Sequence, residues 1–461
     1  MIQPKTKLKI LFLFGILLIG TGFRCTCIKS KEVQQLLKPV DLVYWQVWDA
    51  QNDFSELIAK YKAIHPNITI SVVKLRYEEY EKRILESFAQ LEPPDIISLH
   101  YGWLQKYAKK EFIQAMPEKT TMAYQYEKTT LGIKKEVLTE LRTNPTLTPT
   151  KLKDDFLGTV ANDVVIGNKI YGVPLSLDSM VLFYNRDLLN KAHVPLPPTN
   201  WQEFQEAVKK TTFFDEKKNI VQAGAALGTA DNIRRSADIL TLLMRQNGAT
   251  IISGNTTLFS KTLAKEYNPG IEALKFYTDF ANPRKEVYTW NNEMPDSLKA
   301  FADGKLAMYF GYAYDIPFIK AYSKNAINFG ISKMPQIQGS QETNMANYWV
   351  DAVSSRTKNP NEAWDFILFI TKAEQVKSYL EKTLKPTALR SLVEDELQND
   401  TLSVFASQLL TSETWYRGLD FNAAEQTLKD LINHVNSGDD VKESIEIANS
   451  RVQQTIRSFS E

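Results

Sequence analysis

The sequence predicts an α/β protein with more than one domain, and three observations carry that prediction. Between Asp41 and Leu99, strand-like and helix-like stretches alternate as β-α-β-α-β, the pattern of a parallel, doubly wound sheet. A second run of alternating elements begins at Val181, after a break marked by Gly167-Asn168, Gly172 and Pro174. The chain has 461 residues, 43% of them apolar, enough for about two to three domains with cores of their own.

The first segment is a targeting signal. Lys5, Lys7 and Lys9 form a positive region, Ile10 to Ile19 an apolar stretch interrupted only by Gly15, and Thr21 and Gly22 follow as small residues. The apolar run is shorter than the ~20 residues that span a bilayer, so export is expected. Both cysteines, Cys25 and Cys27, follow immediately, and the body of the chain has no others with which to form disulfides. Their position points to lipid attachment at Cys25 or Cys27, although no small-residue lipobox precedes either. An ordinary cleaved signal or an uncleaved anchor stays open. Residues 1–28 are read as the signal and 29–39 as a polar tether.

Asp41–Trp48 alternates like a strand, and Phe54, Leu57, Ile58 and Tyr61 have helical spacing up to His65-Pro66-Asn67. Ile68–Val73 is a second strand, Tyr77–Leu91 an amphipathic helix stopped by Pro93-Pro94, and Asp95–Leu99 a third strand. Ligands of such sheets lie beyond the carboxyl ends of the strands. Two of those ends carry aromatic loops, Trp48-Asp49 and His100-Tyr101-Gly102-Trp103. A single tryptophan there is core filling by default, but two in equivalent loops make a candidate ligand wall. Residues 115–160 are charged and irregular and read as an insertion, with two short surface helices.

Gly167–Asn185 joins the two runs. A turn and the strand-like Ile170–Val173 lead through Pro174 to Asp178, followed by the β-rich Val181–Tyr184. A carboxylate between two apolar runs is either a strand-end cap or a group aimed into a cleft. Beyond it, Trp201–Thr211 is a helix with Thr199 or Asn200 as N-cap. Ala223–Gly228 is a short buried strand. It is not a phosphate loop, because no Gly-Lys-Ser/Thr follows. Helices are expected at Ser236–Gln246, closed by Asn247-Gly248, at Gly270–Phe280 and at Met294–Ala302, with a polar-aromatic loop containing Trp290 before the last. A strand over Leu306–Phe310 ends in Gly311-Tyr312-Ala313-Tyr314-Asp315. Asn328–Pro335 returns the chain to the first run, and helices follow at Asn361–Thr371, Ala424–Val435 and Val441–Ile456.

Several of these segments resemble the extracellular solute-binding proteins of sugar ABC transporters, the maltose-binding-protein-like family. They are Tyr171-Gly172-Val173-Pro174…Asp178…Phe183–Leu189, Pro197–Phe204, Ala300-Phe301…Gly304-Lys305…Ala307-Met308, the Asn361–Ile370 helix and Thr383–Arg390. The resemblance covers nearly all of residues 40–455. It implies a two-lobe, periplasmic-binding-protein-like fold of type II, each lobe a doubly wound sheet flanked by helices and joined by hinge segments. Lobe 1 would comprise 40–176 and 335–390, lobe 2 would comprise 177–334, and 391–461 would be helices packed on both. It also implies a ligand site drawn from both lobes: Trp48, Asp49, Tyr101, Trp103, Asp178, Trp290, Tyr312, Tyr314, Trp349, Asp351 and Trp415. Asn347-Tyr348-Trp349 departs from the family, which has a Gly-Gly pair there, and the bulky rings would narrow the cleft or add a stacking platform.

The remaining chemistry is consistent with a binder. With 55 basic and 54 acidic residues, bulk charge argues against a nucleic-acid partner. Four histidines and two cysteines show no metal-ligand spacing, and no metal or cofactor is expected. No Gly-x-Ser-x-Gly elbow, His-Glu-x-x-His or Walker loop appears. Acids beside aromatic faces suit a sugar, whose hydroxyls donate to carboxylates and whose C–H face covers a ring. The expectation is a non-enzymatic, monomeric, exported protein, periplasmic or lipid-anchored on the outer face of the membrane, that hands a sugar or small oligosaccharide to transmembrane permease subunits. The alternatives are a binder of a polyamine or glycerol phosphate, an exported glycoside hydrolase with two carboxylates about 5 Å apart or more, and a scaffold without a ligand.

Overall fold

The structure is a computed structural model and describes residues 35–130, 134–263 and 266–456. The segment read as an export signal, with Cys25 and Cys27, and residues 29–34 of the expected tether lie outside the described residues.

The first half of the first lobe follows the expected alternation. Its elements are β1 (Val40–Gln46), α1 (Ser55–Ile64), β2 (Ile68–Lys74), α2 (Tyr77–Ala89), β3 (Ile96–His100) and β4 (Ile113–Gln114). β1 pairs in parallel with both β2 and β3. β3 is buried along its whole length, as a central strand covered on both faces must be.

The segment expected to be irregular is instead a long hairpin, β5 (Lys119–Thr130) with β6 (Lys134–Pro145), paired from Lys119↔Pro145 to Thr130↔Lys134. It forms a two-stranded sheet of its own. Only its base meets the lobe: Met122 and Ala123 are buried, the Ala123 carbonyl lies 3.0 Å from His65 Nδ1, and Tyr124 donates to Asp365 at 3.4 Å. Two short helices follow, Pro149–Asp155 and Gly158–Val164, the first capped by Thr148 with proline in its first turn.

The chain then crosses to the second lobe through β7 (Asp178–Ser179). That lobe contains β8 (Val181–Asn185), α3 (Trp201–Thr211), β9 (Phe213–Phe214), β10 (Ile220–Ala225), α4 (Ser236–Gln246), α5 (Pro269–Asp279), β11 (Leu306–Gly311) and β12 (Phe329–Ser332). Asn200 is the cap of α3, accepting from the Glu203 amide at 2.9 Å, while Thr199 bonds back to the Glu203 carboxylate at 2.8 Å. The sheet order is β9-β10-β11-β8-β12. β8 runs antiparallel to β11 and β12, whereas β10 and β11 are parallel.

The return passes through β13 (Asn344–Asn347) into β14 (Trp349–Ser354), then α6 (Pro360–Ile370) and α7 (Ala373–Thr383). β14 completes the first sheet, in the order β2-β1-β3-β14-β4. It lies antiparallel to β3 because it enters from the opposite lobe. Both sheets are therefore mixed rather than wholly parallel. A small third sheet joins the lobes: β13 pairs antiparallel with β7, through Asn347↔Asp178, and parallel with β15 (Ser412–Glu413). The last helices, α8 (Phe421–Asn436) and α9 (Val441–Ile456), pack on each other and on α4 and α5. Phe421, at the start of α8, lies against His100 and Tyr101 of the first lobe. A Cβ on Gly102 would stand 2.4 Å from the Phe421 ring, so only glycine fits there.

Candidate ligand-binding site

Where the two sheets face each other, the strand ends enclose a narrow cleft whose cavity is about 50 Å³. That is well below the several hundred Å³ of small-ligand pockets, so the lobes stand closed on each other and must part to admit a ligand. Its acids are Asp49, Asp178 and Asp351, its aromatic rings include Trp48, Trp349 and Tyr314, and Lys385 is its one cation.

Topology brings these residues together. Asp49 and Trp48 follow β1. Asp351 on β14 stands opposite Ser98 on β3, and Trp349 stands opposite His100. Asp178 sits in β7, hydrogen-bonded across to the strand that leads into β14. Tyr314 lies in the turn after β11.

The three carboxylates differ in their partners. Asp49 is engaged on both oxygens by Lys385 Nζ at 2.6 and 2.6 Å, and Tyr379 donates to it at 2.8 Å. Asp351 has only neutral donors, Tyr44, Ser98 and, at 3.4 Å, Gln46 Nε2. Burial pushes its pKa up to about 7 against those bonds. Asp178 accepts one long backbone bond, from Tyr314 N–H at 3.4 Å, and its buried Oδ1 has no partner. Burial holds its carboxyl well above the ordinary value, opposed by the amides of Tyr314, Ala313 and Ser179, with the neighbouring Asp315 adding to the rise. Asp178 thus does part of what a strand-end cap does, but only with one oxygen.

The rings form a column that crosses between the lobes. Tyr77 stacks on Trp48 (5.7 Å, 22°), Trp48 on Tyr314 (5.3 Å, 17°) and Tyr314 on Tyr312 (5.6 Å, 20°). The middle step, Trp48 to Tyr314, is the contact between lobes. Trp349 presents its edge to Trp48 at 6.1 Å and to Trp103 at 5.5 Å, tying the two aromatic loops of the first lobe together.

The other sequence-derived candidates lie around this centre. Tyr101 is buried and stacks on Tyr348 at 5.6 Å. Trp103 is buried and donates to Asn422 at 3.0 Å. Tyr312 and Trp415 both donate to Asp238 at 2.9 Å, one to each oxygen, and neither borders the cleft. Trp290 stands apart: it is wholly buried in the second lobe, with its indole N–H bonded to Asn232 at 3.1 Å, and packs the core rather than facing the cleft. Sequence reasoning missed Lys385, Tyr379, Asp238 and Arg235. Arg235 carried one signal only in the structure, a left-handed backbone (φ 62) at a non-glycine residue.

Two mixed α/β lobes on either side of an acid- and aromatic-lined cleft define the class of two-lobe solute-binding proteins. The chain belongs to the family described as bacterial extracellular solute-binding protein, whose model matches residues 56–405. A galactooligosaccharide-binding protein of Bacillus subtilis is 24% identical over 50% of this chain and 52% of its own length. A multiple sugar-binding protein of Streptococcus mutans is 24% identical over 51% of this chain and 55% of its own. The chain thus spans about half the length of these relatives. Among solved structures, a solute-binding protein from Thermotoga lettingae bound with alpha-D-tagatose covers 91% of this chain and 100% of its own (TM-score 0.67, 18% identity). A cyclo/maltodextrin-binding protein complexed with maltotetraose covers 92% and 99% (TM-score 0.67, 17% identity). These last two show the fold.

Proposed function

We propose that this protein is the substrate-binding component of an ABC importer and that its cleft takes a sugar or small oligosaccharide. The observation that carries the reading is Asp178. It is a buried carboxylate at the crossing between lobes, with one oxygen unpartnered and stacked rings beside it. A sugar hydroxyl donates to such an oxygen, and a sugar's C–H face covers a ring. The relatives named for galactooligosaccharides and multiple sugars support the same ligand class.

In this reading the ligand enters between Trp48 and Tyr314 and contacts both lobes, so that its binding energy selects the closed arrangement. Asp178, Trp48, Tyr314, Trp349 and Asp351 make the contact. Tyr101, Trp103, Tyr312 and Trp415 hold the walls, and Asp49 fixes Lys385. Lobe 1 comprises 40–176 and 335–390, lobe 2 comprises 177–334, and the C-terminal segment from 391 packs on both through its described residues, up to 456. The exported protein works as a monomer, held at the membrane through Cys25 or Cys27, and delivers its ligand to permease subunits.

Thermal-shift and calorimetric titration against a panel of mono- and oligosaccharides tests this. Saturable stabilisation without turnover is expected. Hydrolysis of any glycan in the panel would make the protein a glycosidase, and the absence of any shift would make it a scaffold.

A further inference from the structure

We propose that the ligand of this cleft is an amino sugar, with its ammonium group held by the free oxygen of Asp178. The inference rests on the sugar-binding reading above and deepens it.

The acids of the cleft outnumber its cations. Three carboxylates border it, and Lys385, the one cation that does so, has both oxygens of Asp49 and the Tyr379 hydroxyl, at 3.0 Å, as partners. Among the described residues, neither Asp178 nor Asp351 takes part in an ion pair. Asp351 is surrounded by neutral donors from Tyr44, Ser98 and Gln46. Asp178 is faced by backbone amides alone, Tyr314 at 3.4 Å with those of Ala313 and Ser179 close by, and its Oδ1 is buried without a hydrogen-bond partner. A buried carboxylate without a counter-charge carries a desolvation cost that a neutral hydroxyl offsets only in part. An ammonium group donates up to three hydrogen bonds and also brings the missing positive charge.

The walls suit the same group. Trp48, Tyr314 and Trp349 border the same cleft as Asp178, and once the Trp48–Tyr314 stack parts, their faces attract a desolvated cation. The ligand has hydroxyls as well as an amine, because Gln46, Ser98, Ser176 and Asn347 also border the cleft with neutral hydrogen-bonding side chains. An N-acetylated sugar presents an amide, which has neither the charge nor the three donors.

The test is calorimetric titration of the intact mature protein at about pH 6.5, where the sugar amine is protonated, with three matched disaccharides: β-1,4-linked glucosamine, its N-acetylated form and cellobiose. The expected result is at least tenfold tighter binding of the amine, about 1.4 kcal/mol, with the preference lost in Asp178→Asn. Equal or tighter binding of cellobiose or of the acetylated form overturns the inference and leaves the sugar-binding reading standing. No binding of these or of a wider neutral saccharide panel overturns both. Saturable binding of spermidine with no sugar bound also overturns both, and marks the site as a polyamine site.

Discussion

Asp163 and Asp178 are both buried aspartates near the junction of the lobes, and their surroundings are opposite. Asp163 is saturated: Tyr348 donates at 2.7 Å, Thr414 at 2.9 and 3.0 Å, and Arg417 Nε at 2.5 Å. Asp238 is its counterpart in the second lobe, with Arg235 Nε at 2.8 Å, Tyr312 and Trp415 as partners. Asp178, by contrast, has one long bond and a bare oxygen. A saturated carboxylate in a core fixes structure, because every lone pair is already directed at a named donor. An unsaturated one at a cleft is free to bind something else.

The largest effect that would sharpen this contrast is on stability. Asp163→Ala leaves Arg417 without its partner in a partly buried site and removes acceptors from Tyr348 and Thr414. A loss of about 3 kcal/mol is expected, the low end for a broken buried pair because Arg417 is partly exposed. Chemical denaturation followed by circular dichroism measures it. Asp238→Ala leaves the more deeply buried Arg235 without its closest partner and removes acceptors from Tyr312 and Trp415, so a similar loss of about 3 kcal/mol is expected. The Trp415 emission should shift as its indole N–H loses Asp238.

The cleft residues should show the reverse pattern. Trp48→Ala should weaken ligand binding by roughly 1–2 kcal/mol, since an aromatic anchor is removed, and calorimetry reads this directly. Asp178→Asn should leave the melting temperature within a few degrees of wild type while binding weakens. If Asp178→Asn unfolded the protein as readily as Asp163→Ala, the contrast between the two aspartates would collapse.

The smallest effect is a pH dependence centred on Asp351. Its folded pKa, about 7, lies above the ordinary aspartate value because of burial. Between about pH 4 and 7 the folded state therefore holds a proton that the unfolded chain has released. The stability this confers is complete below about pH 4 and is lost as pH rises through about 7. Asp351→Asn should flatten that part of the melting-temperature profile. Asp49, Lys385, Tyr44 and Ser98 surround the carboxyl, and their bonds with one another and with Asp351 set the residual slope.

Elements with local signals were legible in the sequence. The α3 and α4 boundaries follow from an Asn200 cap at one and an Asn247-Gly248 stop at the other, both encoded within a few residues. The hairpin of β5 and β6 was not legible, because its strands are rich in charged and polar residues and Tyr126, Lys128, Val137, Glu140 and Arg142 are exposed, so the apolar alternation is confined to a short stretch near its base. Asp178 stood out as a lone acid between apolar strands. Lys385 did not, since its partner Asp49 is 336 residues away, and Asp238 did not, since Tyr312 and Trp415 are 74 and 177 residues away. Trp290 looked like a loop aromatic facing a ligand. Its indole is instead satisfied by Asn232, and nothing near Trp290 in the chain announces that bond.

The small sheet of β7, β13 and β15 has a mechanical consequence. The outgoing and returning crossings are hydrogen-bonded to each other, Ala346 to Ser179 and Asn347 to Asp178, and β15 lies along the other edge of β13. Two separate tethers would let the lobes twist, slide and splay independently. Laced together, the crossings act as a leaf spring, stiff within its plane and compliant across it, so relative movement reduces to a single bending coordinate. Asp178 lies on that leaf, and whatever engages its free oxygen acts at the point of flexure.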